Sequence, residues 1–284
     1  MEFSSATPLK DRFTACPICA ASLDRCSAHK SADCSYHPLY TPTLPRIMTW
    51  LRCEDCAHVF TDSYWTAEGE RQVFSTAHAY QLPAAQQVES LRNVWAPTVH
   101  RVADRLCELR GREAVLGRVG AQRPVWLDIG FGAGGLVMVA EEFGFSALGV
   151  DVRERAVIEL QSLGYRAICS SFETLQLDEP LAVLSMADVL EHLADPVAAL
   201  RKVNALLAAD GLLYISCPNS DTATWRQWEA ANTNPYWGEL EHYHNFSRGR
   251  LIGLLQAAGF AVVDYFVSAR YYSCMEIVAR KISA

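Results

Sequence analysis

The sequence has no long apolar run, no stretch typical of a signal peptide and no excess of basic residues. No apolar segment approaches the roughly 20 residues that a membrane span needs, and residues 1–12 contain none of the apolar stretch of a secretory leader. We therefore expect a cytoplasmic protein without a membrane partner. The formal net charge of -7 argues against non-specific binding of nucleic acid, because phosphate binding needs clustered lysine and arginine.

The cysteines are unevenly distributed, since six of the ten precede residue 57. Four of them form two C-x-x-C pairs, which are Cys16 with Cys19 and Cys53 with Cys56. Each pair can present two thiolates to one ion, and two pairs complete a tetrahedral site. The sequence therefore predicts a structural zinc site of the zinc-ribbon type.

The 33 residues between the two pairs exceed the usual spacing of about 15–20, so we expect an insertion. It contains a further set of candidate ligands, namely Cys26, His29, Cys34 and His37. Either these residues bind a second metal ion or they are free side chains that face solvent. Because this stretch shows little periodicity, we expect metal rather than a hydrophobic core to hold it together.

Between residues 84 and 110, apolar residues recur at intervals of three and four, which predicts helix. Pro97 lies inside this stripe, so a kink or a pair of helices is expected. The sequence thus predicts three parts: a zinc-ribbon-like module over 1–83, a helical connector over 84–120 and a larger domain over 121–284.

The larger domain alternates apolar strands with helices, which is typical of a doubly wound α/β sheet. The predicted strands are Val125–Ile129, Ser146–Asp151, Arg166–Ser170, Leu181–Met186 and Leu212–Cys217, and the predicted helices are Gly135–Phe143, Arg153–Leu163, Pro196–Leu207 and Arg248–Ala258. Two final runs, Ala261–Val267 and Tyr272–Lys281, are close enough in sequence to form an antiparallel pair. We therefore expect a Rossmann-like sheet of seven strands with an antiparallel C-terminal strand.

A glycine-rich loop follows the first strand of this domain and opens a helix. Gly130, Gly132 and Gly135 satisfy the G-x-G-x-x-G pattern of dinucleotide sites, so an NAD-dependent enzyme must be considered. Asp128 precedes the loop, and a carboxylate there repels pyrophosphate but suits a ligand with an ammonium and a sulfonium group. Asp151, 23 residues later, could accept both hydroxyls of a ribose. These two acids favour S-adenosylmethionine (SAM) over a dinucleotide.

The block 127–134, which reads Leu-Asp-Ile-Gly-Phe-Gly-Ala-Gly, resembles motif I of class I SAM-dependent methyltransferases. Residues 188–196, 209–219 and 241–247 resemble later motifs of the group that contains ubiquinone-pathway O-methyltransferases and many natural-product and sugar methyltransferases. The resemblance implies contacts to SAM from a set of residues at the strand ends, namely Asp128, Gly130, Phe131, Gly132, Gly134, Asp151, Val152, Ser171, Phe172, Ala187 and Asp188. It also suggests that Tyr80 closes over the cofactor. The family often has an acidic residue at the adenine position, where this sequence has Ser171.

Methyl transfer is an in-line displacement, so alignment of the nucleophile dominates and a base matters for hydroxyl acceptors. His192 follows the fourth strand and is the first candidate for the base. Its other role would be to orient the loop. Together with Glu191, His192 could also join His242 and His244 in holding a divalent ion that orients a substrate oxygen. Some relatives, including small-RNA methyltransferases, use Glu and His of a similar pattern for metal, although they usually have a second glutamate where this chain has Asp188.

We therefore expect a SAM-dependent methyltransferase that acts on the oxygen or carbon of a small molecule and contains a structural zinc ion. An RNA methyltransferase with a zinc module is the first alternative, but residues 1–83 contain seven basic and nine acidic residues, a balance that does not favour phosphate. A dinucleotide-dependent oxidoreductase is the second alternative. The methyl acceptor and the oligomeric state, monomer or dimer, stay open.

Overall fold

The computed structural model describes residues 8–74, 84–116 and 122–282. Among these residues, the strands in chain order are β1 (Lys10–Arg12), β2 (Cys26–Asp33), β3 (Ile47–Cys53), β4 (Val59–Thr61), β5 (Ser63–Trp65), β6 (Val125–Ile129), β7 (Ser146–Asp151), β8 (Ala167–Cys169), β9 (Leu181–Ala187), β10 (Leu207–Pro218), β11 (His244–Asn245), β12 (Phe260–Val267) and β13 (Cys274–Lys281). The α-helices are α1 (Ala67–Phe74), α2 (Val88–Arg110), α3 (Arg112–Leu116), α4 (Gly135–Glu142), α5 (Glu154–Ser162), α6 (Pro196–Leu206), α7 (Ala223–Ala230) and α8 (Arg248–Ala257). None of these helices has both the length and the apolar character that a bilayer crossing requires.

The chain divides into two compact units that are not continuous in sequence. The first unit comprises Met1–Tyr80, Glu191–Pro196 and Asn219–Arg250, and the second comprises Gln81–Leu190, Val197–Pro218 and Leu251–Ala284. These units do not reveal which segments fold independently. The division into three parts, at 1–83, 84–120 and 121–284, therefore stays a prediction.

The first unit contains an antiparallel sheet of order β11-β4-β3-β2 and a small pairing of β1 with β5. Its core is aromatic: Trp50, Phe60 and Trp65 are buried together with residues from the later segment, Trp237 and Tyr243. Trp50 Nε1 donates a hydrogen bond to the carbonyl oxygen of Trp237 at 2.9 Å. The expectation that this part lacks a hydrophobic core was therefore wrong. Its core residues come from segments far apart in sequence, which local periodicity cannot reveal.

The second unit is built on a seven-stranded sheet of order β12-β13-β10-β9-β6-β7-β8. Strands β10, β9, β6, β7 and β8 are parallel to one another, whereas β13 pairs antiparallel with both β10 and β12. Buried parallel strands require apolar residues on both faces, and every residue of β6 is indeed buried. The predicted Rossmann-like fold with an antiparallel C-terminal strand is confirmed.

Helix α2 forms one continuous helix of 23 residues that contains Pro97. The prediction of a helix here is confirmed, whereas the alternative of two helices is wrong. Proline removes one backbone hydrogen bond, but tertiary packing can offset that loss. On this helix Val99, Val102 and Leu106 are buried in the core of the second unit.

Candidate functional site

The carboxyl ends of β9, β6, β7 and β8 lie side by side at one edge of the parallel sheet. Strand β6 pairs with β7 on one side and with β9 on the other, so the chain reverses its direction of winding at β6. Ligands of open α/β sheets bind outside the strand ends at such a switch point. The structure thus places the predicted cofactor residues that follow these strands, from Asp128 to Asp188, at the edge where a ligand is expected.

The glycine loop connects β6 to α4 and leaves room for a ligand beside its backbone. Gly132 has a φ of +61°, and a Cβ built there would meet no atom within 4 Å among the described residues. At Gly135 the lack of a side chain allows Trp95 to pack closely on the backbone, because a Cβ atom there would lie 2.5 Å from Cδ1 of Trp95. Gly130 and Gly134 also have positive φ values. The ring of Phe131 packs over Gly149 and is buried, which leaves its backbone for any ligand contact.

Asp128 is buried at the end of β6 and receives a short hydrogen bond. Ser185 Oγ donates to Asp128 Oδ1 at 2.6 Å, and the same hydroxyl accepts from Nε1 of Trp126 at 2.9 Å. Burial raises the pKa of the Asp128 carboxyl to about 7, although the hydrogen bond from Ser185 and the charge of Arg270 act in the opposite direction. A cationic ligand group would favour the ionised carboxylate at this position.

Asp151 ends β7 and lies beside the glycine loop, since the backbone N–H of Gly132 donates to Asp151 Oδ2 at 3.3 Å. Arg153 forms a bidentate ion pair with this carboxylate, with Nη2 2.8 Å from Oδ2 and Nε 2.9 Å from Oδ1. Ribose hydroxyls could bind Asp151 only if they share its carboxylate with the guanidinium of Arg153 or displace that guanidinium.

The remaining predicted cofactor residues follow β7, β8 and β9. Val152 is exposed, Phe172 is buried beneath the ammonium group of Lys202 at 5.1 Å, and Ser171 Oγ lies 3.1 Å from Thr174 Oγ1. Ala187 is the last residue of β9, and Asp188 follows with a left-handed φ of 57°. Tyr80 lies outside the described residues.

The four predicted zinc ligands converge in the first unit. The sulfur atoms of Cys16, Cys19, Cys53 and Cys56 all lie within 4.8 Å of one another, with 3.6 Å between Cys16 and Cys56 and between Cys19 and Cys53. Four thiolates at about 2.3 Å from a tetrahedral zinc ion would be about 3.8 Å apart. The donor set and its spacing therefore fit zinc.

The two C-x-x-C turns have the same backbone construction. The N–H groups of Ile18 and Cys19 point to the sulfur of Cys16, and those of Asp55 and Cys56 point to the sulfur of Cys53. Burial opposes ionisation of Cys53, but these N–H groups and the thiols of Cys19 and Cys56 outweigh it and lower the pKa of Cys53 to about 7. Backbone N–H groups that point at sulfur stabilise thiolate ligands.

The insertion does not assemble a second four-ligand site within the described residues. Cys26 is the cross-strand partner of Cys53, and the thiol of Cys34 is buried 3.8 Å from the carbonyl oxygen of Ala32. His37 Nδ1 accepts from the backbone N–H of Leu39 at 3.2 Å, so Nε2 carries the proton and donates to Glu239 at 2.9 Å.

A second cluster of ionisable side chains lies at the 3₁₀ turn Leu190–His192. Ligand atoms of Glu191, His192 and His242 lie within 4.8 Å of one another. His192 Nδ1 donates to the carbonyl oxygen of Glu241 at 2.8 Å, because a carbonyl can only accept. The Nε2 atom of neutral His192 therefore carries a lone pair, which can accept a proton or bind a cation.

The structure does not bring His244 into this cluster. His244 is fully buried, its Nε2 donates to the carbonyl oxygen of Leu193 at 2.9 Å, and its Nδ1 accepts from Nε2 of His58 at 3.0 Å. Burial lowers the pKa of His244 to about 4. Both ring nitrogens of His244 are engaged, so this geometry favours a structural role for His244.

Sequence reasoning missed several residues beside the predicted site. Ser185 holds Asp128, Trp95 packs on the glycine loop, and Arg270 binds the residues around Asp188. None of them belongs to a motif that the sequence displays. A buried arginine in a hairpin turn gives no periodic signal, because its burial depends on strands from elsewhere in the chain.

Comparison with known proteins shows the family. A profile of the methyltransferase domain family matches residues 89–265. A ubiquinone biosynthesis O-methyltransferase of Idiomarina loihiensis is 32% identical over 107 residues, which are 35% of this chain and 44% of that protein. The match therefore spans less than half the length of this relative.

Solved structures share the fold at low sequence identity. The 1,6-didemethyltoxoflavin-N1-methyltransferase of Burkholderia thailandensis is 21% identical, with 80% of this chain and 96% of that chain covered at a TM-score of 0.51. The magnesium protoporphyrin IX methyltransferase of Synechocystis is 18% identical, with 68% and 86% covered at a TM-score of 0.51. The chain belongs to the methyltransferase domain family. This result overturns the alternative of a dinucleotide-dependent oxidoreductase.

Proposed function

We propose that this enzyme methylates a hydroxyl group of a small molecule. The relative that matches in sequence is named for O-methylation in ubiquinone biosynthesis. The two structures that share the fold are named for toxoflavin and porphyrin precursors, which are also small molecules. The net charge of -7 supports this choice over an RNA acceptor, because it offers no general attraction for phosphate.

The residues at the strand ends fit SAM, which when bound supplies the methyl group from its sulfonium. The open side of Gly132 provides the close backbone approach that such a ligand needs. We assign the buried carboxyl of Asp128 to the ammonium group and Asp151 to the ribose hydroxyls. We assign Ser171 and Phe172 to the adenine and the turn at Ala187 and Asp188 to the region of the sulfonium.

The proposal that the acceptor is a hydroxyl group depends on the tautomer of His192. Its Nδ1 proton is held by the carbonyl oxygen of Glu241 at 2.8 Å, so Nε2 of the neutral ring has the lone pair that a base needs to take the proton of a hydroxyl. Glu191 and His242 lie close enough to join Nε2 in binding a divalent cation, which would lower the pKa of that hydroxyl instead. In the sequence Glu191 lies only three residues after Asp188, which we assign to the region of the sulfonium. Both roles favour oxygen over carbon as the acceptor atom.

We further propose that Cys16, Cys19, Cys53 and Cys56 bind a structural zinc ion. The spacing of the four sulfur atoms supports this assignment. A closed four-thiolate site offers no open position for a substrate. The ion would stabilise the first unit and take no part in methyl transfer.

The proposal is tested first by calorimetry with S-adenosylhomocysteine (SAH) and by metal analysis of the same sample. Methyl transfer from radiolabelled SAM is then measured with simple phenols and catechols and with total RNA. His192→Gln should lower kcat by about 100-fold or more if His192 is the base, with SAH affinity unchanged. His100→Gln is the matched control, because this histidine is exposed on α2. Transfer to RNA but to no phenol would overturn the proposed acceptor.

The same assay separates the base from the cation. If Glu191, His192 and His242 hold a divalent ion, chelation with EDTA should abolish transfer and added Mg²⁺, Mn²⁺ or Zn²⁺ should restore it. If His192 acts alone, transfer should survive chelation. Zinc bound to the four cysteines is measured separately, so that loss of structure is not mistaken for loss of a catalytic ion.

A further inference from the structure

Arg270 is a buried cation in the turn between β12 and β13, and the motifs of the sequence do not include it. Its Nη2 donates to Ser216 Oγ at 2.7 Å, and its Nη1 lies 3.3 Å from Asp188 Oδ2. Its Nε lies 3.4 Å from Glu276 Oε1, and its guanidinium carbon lies 4.2 Å from the ring centroid of Trp95. The side chain is only 7% exposed. Arg270 therefore connects the ends of β9, β10 and β13 with helix α2.

Asp188 has a backbone conformation that needs such support. Its φ of 57° is unfavourable for a residue with a Cβ atom, and such conformations persist only where the surroundings hold them. The backbone N–H of Asp188 donates to the carbonyl oxygen of Ser216 at 3.0 Å, and Ser216 Oγ donates to Asp188 Oδ1 at 2.6 Å. Arg270 binds the other carboxylate oxygen and supplies the opposite charge.

Trp95 lies on the other side of the same guanidinium. It packs so closely on Gly135, at the start of α4, that a Cβ atom there would lie 2.5 Å from its ring. A guanidinium that stacks on an indole face is held by cation–π attraction. Arg270 thus contacts both the turn after β9 and the helix that packs on the glycine loop.

We propose that Arg270 is a positioning residue for methyl transfer, which fixes the Asp188 turn and the Trp95 side chain in the arrangement that receives the cofactor. The inference rests on the proposed role of Asp188 beside the sulfonium. Arg270 acts through Asp188 and does not itself contact the methyl group. Without the guanidinium, the carboxylates of Asp188 and Glu276 would lose their shared counter-charge, and the left-handed turn would lose one of its restraints.

The first test is SAH affinity measured by calorimetry for wild type, Arg270→Gln and Arg270→Lys. Arg270→Gln should weaken binding by about 10- to 100-fold, as expected for loss of charge-assisted hydrogen bonds. Lysine restores the charge but not the planar set of donors, so it should recover part of the loss. In the transfer assay the larger effect should be on the KM for SAM, because Arg270 takes no part in the chemical step.

Two arginines of α2 provide matched controls. Arg105 forms an ion pair with Asp264 of β12 at 2.7 Å, and the guanidinium of Arg101 stacks on Phe266 of β12 at 3.5 Å. Arg105→Gln and Arg101→Gln remove the same kinds of contact between the same helix and hairpin, away from Asp188. Both variants should bind SAH as wild type does, and the melting temperature of every variant without ligand is recorded.

A double-mutant cycle with Asp188→Asn then separates positioning from general stability. If Arg270 acts through Asp188, Arg270→Gln should cost little further affinity in the Asp188→Asn background. Additive losses, or wild-type affinity in Arg270→Gln, would refute the inference while the proposed function stands. If wild type itself fails to bind SAH, the proposed cofactor site is wrong. Should Arg270→Gln not fold, Arg270→Lys enters the cycle, and unchanged affinity there would also refute the inference.

Discussion

Replacing Asp128 by asparagine should make the stability of the protein less dependent on pH. In the ligand-free protein, burial raises the pKa of this carboxyl from 3.8 to about 7. The folded state therefore keeps a proton that the unfolded chain releases. The stability that Asp128 contributes is present in full below pH 3.8, and it is lost as the pH rises towards 7.

The size of the effect follows from the two pKa values. Each pH unit between them corresponds to about 1.4 kcal/mol, so the full loss is roughly 4 kcal/mol at neutral pH. Between pH 5 and pH 8 the wild type should lose about 3 kcal/mol relative to Asp128→Asn. Asparagine imitates the protonated carboxyl in shape, and its side-chain oxygen can still accept from Ser185.

Urea unfolding of both proteins at pH 5 and pH 8, without ligand, measures this difference. Asp104→Asn is the control, because Asp104 is exposed on α2 and should change little at either pH. At pH 8 the variant should be more stable than wild type yet bind SAH more weakly, since it lacks the charge that we assign to the ammonium group of the ligand. A stability difference that stays the same from pH 5 to pH 8 would refute the reasoning.

Three further predictions concern the glycine loop, Asp151 and the zinc site. Gly132→Ala should weaken SAH binding by at least tenfold, whereas Gly164→Ala, which has the same kind of positive φ and open space, should cost about 1–2 kcal/mol of stability without affecting calorimetric affinity. Arg153→Gln should tighten SAH binding by a few fold, because it removes the competitor for the Asp151 oxygens. Weaker binding would instead show that Arg153 holds the ligand. Cys53→Ser should lower the zinc content from about one ion per chain to almost none by elemental analysis, while the exposed Cys169→Ser should keep the ion; equal zinc in both would contradict the four-thiolate assignment.

The Rossmann-like sheet could be predicted because its signals are local. Val125–Ile129 and Ser146–Asp151 were predicted with the bounds that the structure has, since buried parallel strands are short apolar runs that end at glycine or acidic residues. The convergence of the four cysteines could also be predicted, because the ligand spacing is a property of the sequence itself.

The remaining features of the fold and of the candidate site depend on contacts between distant residues, which no local sequence pattern encodes. The aromatic core of the first unit joins Trp50 to Trp237, and neither residue lies in a periodic segment. The hydrogen bond between His58 and His244 and the network of Arg270 likewise join residues far apart in sequence. In each case burial of a polar side chain is decided by its distant partners, so the sequence could show the residue but not its environment.

The distance along the chain between Trp50 and Trp237 has a consequence during synthesis. These residues are separated by 187 positions, and ribosomes add about 5–20 residues per second. The N-terminal segment must therefore wait roughly 10–40 s for the residues that complete its core, while its large aromatic side chains lack their final cover. Early binding of a metal ion by the four cysteines, which all precede residue 57, could hold the nascent segment in a compact form during that interval.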